Sequence, residues 1–219
     1  MPHAYLAVLR AGNGTCELLL GQKNIFLPPH GRYQYAAIPR NALQYILPGG
    51  RVQAGESPED AAVREFFEDT GVKIPTSSLT PLFTEGSDVS FFQTSSPPDL
   101  DLAAANAALT EGRAQSMKFN NLAWMSLEQA FGRFGRKPEY QSLPWVTTQI
   151  VRALNAGFSR ELIGHRANES HQVFTKAVAH LLLNTLQPGT SPQELAASQQ
   201  APALPAQPPP PSSPSPSPA

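Results

Sequence analysis

Glu65, Glu68 and Asp69 fall at i, i+3 and i+4, a spacing that places all three on one face of a helix. Carboxylates so arranged repel one another by a few tenths of a kcal/mol per pair, roughly, and a divalent cation removes that penalty. Mg²⁺ suits the position because it takes oxygen ligands, keeps several waters and shares its shell with substrate phosphates. Arg64 stands four residues before Glu68 and four after Asp60, within reach of both. An ordinary solvated helix can also carry an acidic face, so the surrounding residues decide between the two readings.

Those surroundings are well signalled. Ser57 is a good N-cap, Pro58 suits the first helical position, and Glu59 and Asp60 favour the positive end of the helix dipole. Gly71 sits where a left-handed residue closes a helix. Between these caps Ala62, Val63, Phe66, Phe67 and Thr70 supply an apolar stripe at helical spacing. The helix is fed by the glycine-rich turn 47–55.

The whole string from Gly50 to Val72 resembles the Nudix box, G-x5-E-x7-R-E-U-x-E-E-x-G-U, where U is a bulky apolar residue. Gly50, Glu56, Arg64, Glu65, Phe66, Glu68, Gly71 and Val72 match in register, and Asp69 stands where the pattern has its last glutamate. The resemblance covers roughly residues 3 to 135 and implies an α/β fold, the Nudix α-β-α sandwich with a mixed β-sheet. It implies a pyrophosphohydrolase that cleaves a nucleoside diphosphate linked to another moiety by attack of water on phosphorus. On that reading Glu65, Glu68 and Asp69 hold Mg²⁺ (or Mn²⁺), with Glu111 or Glu85 as an extra acidic ligand or base from a later loop. Arg64 orients the glutamates, and Glu56 pairs with Arg64 or assists as a base. Gly49 and Gly50 allow phosphate or metal to approach the backbone closely, and Lys23 can approach substrate phosphates, although a solvated strand end explains it as well. Asp69 is shorter than glutamate by about one carbon–carbon bond, ~1.5 Å, and Mg²⁺ tolerates little geometric error. A weakly active or inactive nucleotide-binding or regulatory module of the same fold is therefore the alternative. The features that mark individual Nudix subfamilies beyond the box are absent at Ser87 to Ser90, so ADP-ribose, nucleotide sugars, dinucleotides and NTPs all stay open as substrates.

Composition sets the remaining bounds. The chain has 219 residues, 41% of them apolar, enough for a core. Its net charge of −1 argues against a broad nucleic-acid-binding surface. A single cysteine, Cys16, rules out an internal disulfide and fits a reducing compartment. No run approaches the ~18 apolar residues of a membrane span, so a soluble, cytoplasmic protein is expected.

In chain order, Ala4 to Leu9 and Glu17 to Leu20 read as a hairpin turning at Asn13-Gly14. Residues 24–44 carry Pro28, Pro29, Gly31 and Pro39 and read as a loop, whose Phe26, Tyr33 and Tyr35 either pack locally or line a substrate rim, with His30 given no role. Leu79 to Phe83 and Val89 to Thr94 read as strands, Asp99 to Leu109 as a short helix. Phe119 to Ala130 reads as a closing strand and helix, with Ser126 as cap and Trp124 in the core. Residues 136–186 form a C-terminal helical extension with patterns at 145–156 and 168–186; packing on the domain or a homodimer contact explains its apolar stripe. His165, His171 and His180 lack metal-ligand spacing. Residues 187–219 form a Pro/Ser-rich tail, expected to be disordered, in which Pro208 to Pro211 is of the kind that docks an SH3- or WW-like domain.

Overall fold

The computed structural model describes residues 1–12, 14–29, 35–134, 144–169 and 172–185. Asn13, His30, Tyr33, His171 and the proline-rich segment 187–219 lie outside the described residues.

Strand β1 (His3–Ala11) is the axis of a seven-stranded mixed sheet. Its apolar run buries Ala4, Leu6, Ala7 and Val8 completely, as expected of a strand covered on both faces. It runs antiparallel to β2 (Cys16–Lys23), with Leu9 opposite Leu18. Gly14, at φ 77°, supplies the left-handed residue of the connecting turn. The short β3 (Tyr45–Ile46) pairs with β2, and β4 (Gly49–Arg51) pairs with the first residues of β1. On its other edge β1 runs parallel to β6 (Val89–Ser95), which is antiparallel to β5 (Thr80–Glu85). β7 (Phe119–Ser126) closes the sheet against β2.

Helix α1 (Pro58–Thr70) follows β4 and buries Ala61, Ala62 and Phe66. Its caps are those read from the sequence: Ser57 accepts the Asp60 N–H, and Gly71 adopts φ 76°. The buried face differs from the expected stripe. Glu65 and Asp69 lie in it, while Phe67 is half-buried beneath the Lys73 ammonium. α2 (Leu102–Thr110) is capped by Asp101 and tied to β7 by Asn106, whose side chain bonds both backbone groups of Leu122. α3 (Leu127–Arg133) opens on a reciprocal Ser126–Gln129 capping box. Trp124 is half-buried and packs against the core, with the Arg10 guanidinium 4.3 Å from its ring centre.

Three helices follow: α4 (Pro144–Asn155), α5 (Arg160–Ala167) and α6 (Gln172–Thr185). The helix expected over 168–186 thus begins later, because Asn168 ends α5 by donating its side-chain amide to the Gly164 carbonyl. Phe174, Ala177, Val178 and Leu181 of α6 enter the main core, where the Phe174 ring meets Tyr5 edge-on at 4.8 Å.

The loop between β2 and β3 has a core of its own. Ile25, Ile38 and Leu43 pack against Val146, Ala153 and Ile163 of α4 and α5. Gln149 Oε1 accepts the N–H groups of Ile25 and Phe26 at 2.7 and 3.1 Å, donors that a proline-broken loop cannot satisfy by itself. Phe26 also meets Phe158 edge-on. The C-terminal helices therefore fix the loop that borders the box.

Candidate active site

The centre of the box is Arg64. Its Nε and Nη2 bond the two carboxylate oxygens of Glu56 at 2.7 and 3.0 Å, a bidentate pair. Nη1 reaches Glu65 Oε1 and Glu68 Oε1, both at 3.0 Å, and Nη2 also meets the Arg51 carbonyl at 2.9 Å. Glu56, followed by Glu65 and Glu68, holds the guanidinium well above its ordinary range. Asp60, the other partner within reach on the helix, is instead taken by the Ser57 hydroxyl at 2.7 Å and the Thr76 hydroxyl at 3.2 Å.

Glu65 and Asp69 project to the inner side of α1, where their side chains are 8% and 0% exposed. Gly50 makes room for Glu65: a Cβ there would stand 2.3 Å from Oε2. Gly49, at φ 145°, runs so close to β1 that a Cβ would meet the Ala4 carbonyl at 2.3 Å. Both glycines are thus required by packing, and both also line the adjoining cavity.

A residue that the sequence reading did not single out stands at the middle of this arrangement. Lys118 Nζ lies 2.6 Å from the Gly49 carbonyl, 2.7 Å from Asp69 Oδ2 and 3.4 Å from Glu65 Oε2. The loop before β7 fixes it. Ser116 donates its N–H to the Glu68 carbonyl, its hydroxyl accepts the Lys118 N–H, and the Lys118 carbonyl accepts the Asn24 N–H. Burial alone would lower the Lys118 pKa, but Asp69 and then Glu65 outweigh it and hold the ammonium above its ordinary range. Burial pushes Asp69 up to about 6, with Lys118 and the Ser116 hydroxyl opposing.

The other expected participants lie elsewhere. Glu111 caps the end of α2, half-exposed, and pairs with Arg113 at 2.5 Å. Glu85 pairs with Lys176 of α6. His180 stacks on Phe83, and His165 lies 3.7 Å from Glu169. Lys23 is no solvated strand end: it is 9% exposed and faces the cavity.

Carboxylate and carbonyl oxygens are the right chemistry for Mg²⁺, and three of them converge beside α1. The point of convergence is filled by the Lys118 ammonium. With Lys118 in place a divalent ion does not fit this cage. Among the described residues no group of three His, Cys, Asp or Glu side chains is arranged to hold a metal ion.

The adjoining cavity has a volume of about 790 Å³. Lys23, Arg40, Arg51 and Lys118 line it, with Glu65 as the acid among the lining residues. Leu27, Pro28 and Pro39, from the loop braced by α4 and α5, form an apolar side, and Tyr35 stands at the mouth, 82% exposed. A lining that combines cations with apolar side chains matches a ligand that is part phosphate and part ring.

The NUDIX domain model matches residues 2–146, well over half of the chain. The chain belongs to the NUDIX family. It is a Nudix-type hydrolase with the mixed α/β fold expected of one. Among solved structures, a MutT protein from Methanosarcina mazei Go1 is 20% identical over 71% of this chain and 92% of its own, with a TM-score of 0.38. A binary complex of a C. elegans Ap4A hydrolase is 23% identical over 71% of this chain and 99% of its own, TM-score 0.37. The NUDIX domain of Shewanella oneidensis NrtR complexed with ADP ribose is 14% identical over 61% of this chain and 77% of its own, TM-score 0.40. No curated protein matches the chain significantly. No helix among the described residues is long and apolar enough to cross a membrane.

Lys23 gives the cavity a pH dependence. Burial, with Lys118 adding to it and Asp69 and Glu169 opposing, lowers its pKa to about 7. Its charge is present below pH 7 and lost above. His3, in the same cavity, loses its proton below its ordinary value of 6.5, chiefly because it is buried. Affinity for an anionic ligand such as ADP is therefore expected to fall about tenfold between pH 6 and 8. Calorimetric titration across that range checks it. In Lys23→Met the step should vanish; an unchanged step would assign it to another group.

Proposed function

We propose that this Nudix hydrolase cleaves the phosphoric anhydride of a nucleoside diphosphate linked to another moiety. The observation that supports the reading is the junction of the box with the cavity: Glu65 faces a space lined by Lys23, Arg40, Arg51 and Lys118. The four cations neutralise the diphosphate, which must happen before a nucleophile can approach phosphorus. Glu65 takes a proton from the attacking water. The new P–O bond forms as the bridging P–O bond breaks, and the leaving phosphate departs as an oxyanion beside the lysines. Arg64 touches no reacting atom; it positions Glu65, with Glu56 and Glu68 as its other anchors. The apolar wall and Tyr35 face the nucleoside.

The test is phosphate release from ADP-ribose, a nucleotide sugar, a dinucleoside polyphosphate and a dNTP, with and without Mg²⁺ or Mn²⁺. Wild type is expected to turn over one class well above the others. Tight binding of the panel with no turnover under any condition would replace this reading with that of a nucleotide-binding module.

A further inference from the structure

The ammonium of Lys118 stands where three oxygens meet, and its own chemistry matches that place. An ammonium has three N–H donors. One N–H bonds the Gly49 carbonyl at 2.6 Å, the Asp69 carboxylate is an ion-pair partner at 2.7 Å, and a third N–H makes a long hydrogen bond to Glu65 at 3.4 Å that a ligand oxygen can replace. The same Nζ borders the cavity that holds Lys23. Asp69, entirely buried, has its compensating charge in Lys118 at 2.7 Å, so the short aspartate of the box is matched to a resident ammonium.

We propose that Lys118 is the built-in cation of this cage: it keeps a divalent ion out of it and binds the ligand's diphosphate directly through its third N–H. The second half rests on the nucleoside-diphosphate reading above; the first half does not. Lysine is suited to this as a compact charge on a flexible stem.

The experiment measures Mn²⁺ binding by the electron paramagnetic resonance signal of the free ion, and ADP binding by calorimetry in EDTA and in Mn²⁺. Full-length wild type is compared with Lys118→Met and with the Lys118→Met/Asp69→Asn double variant, which removes both buried charges together and so guards against loss of folding. Wild type should bind ADP equally in EDTA and in Mn²⁺. Lys118→Met should bind Mn²⁺ at least tenfold more tightly than wild type, and lose at least tenfold in ADP affinity in EDTA, with Mn²⁺ restoring it. The double variant should lose ADP affinity without gaining Mn²⁺. Gain of Mn²⁺ in Lys118→Met while no variant binds ADP would uphold the built-in cation and remove the nucleoside-diphosphate reading. Stoichiometric Mn²⁺ binding by wild type that both variants weaken would overturn the proposal, as would undiminished ADP affinity in EDTA in either variant.

Discussion

Replacing Glu65 by glutamine is expected to lower kcat by about two to three orders of magnitude while leaving ADP affinity within a factor of about two. The amide keeps the shape and the contact with Arg64, but it cannot accept the proton of the attacking water. Glu65 lies between two cations, at 3.0 Å from Arg64 and 3.4 Å from Lys118, but Arg64 keeps Glu56 and Glu68 and Lys118 keeps Asp69 when Glu65 loses its charge, so folding should tolerate the substitution. Steady-state kinetics and a thermal melt of the same sample decide the matter. A kcat drop accompanied by an equal loss of ADP binding would make Glu65 a binding residue. Glu68→Gln should cost far less, since Glu68 does not line the cavity and touches Arg64 through one bond.

Arg64→Met is expected to destabilise the fold by about 3 kcal/mol, lowering Tm by ~10 °C for a chain of this size. The guanidinium is the shared partner of Glu56, Glu65 and Glu68, and it also ties the Arg51 carbonyl of β4 to α1. Removing it leaves carboxylates that are largely buried facing one another. Arg64→Lys should recover less than half of the loss, because a point charge cannot reproduce the bidentate grip on Glu56 and the reach to Arg51. Thermal unfolding of both variants provides the comparison. A lysine variant as stable as wild type would mean that net charge, and not the planar fork, is what the box needs.

Legibility in the sequence followed the range of the interactions. The caps of α1, the hairpin strands, β5 to β7 and the Ser126 cap all depend on residues a few positions apart, and each stands where it was read. Arg64 and the glutamates were readable for the same reason, since the helix sets their spacing. Lys118 was not. It lies beyond the box by several elements, and as a single lysine before an apolar strand nothing distinguishes it locally from a solvated residue. Only the folding of β7 against β2 brings it under α1. For Lys23 the local residues left a phosphate-facing side chain and a solvated strand end both open, for the related reason that the loop covering it is itself held by α4 and α5. Glu111 drew notice from its loop and its charge, yet the end of α2 turns it outward toward Arg113. Asp60 illustrates competition: helical spacing offers it to Arg64, and two hydroxyls closer at hand take it.

The position of Phe174 carries a genetic consequence. Its ring meets Tyr5 of β1, Phe91 of β6 and Phe134, so α6 supplies part of the interior beneath the central strands. A reading frame stopped after the region that matches the family would not release a trimmed, working hydrolase. It would expose the aromatic underside of the sheet, and the shortened product would be a substrate for cellular proteases. For nonsense alleles of this gene, a stop anywhere before α6 removes part of the interior, even when it falls well past the box.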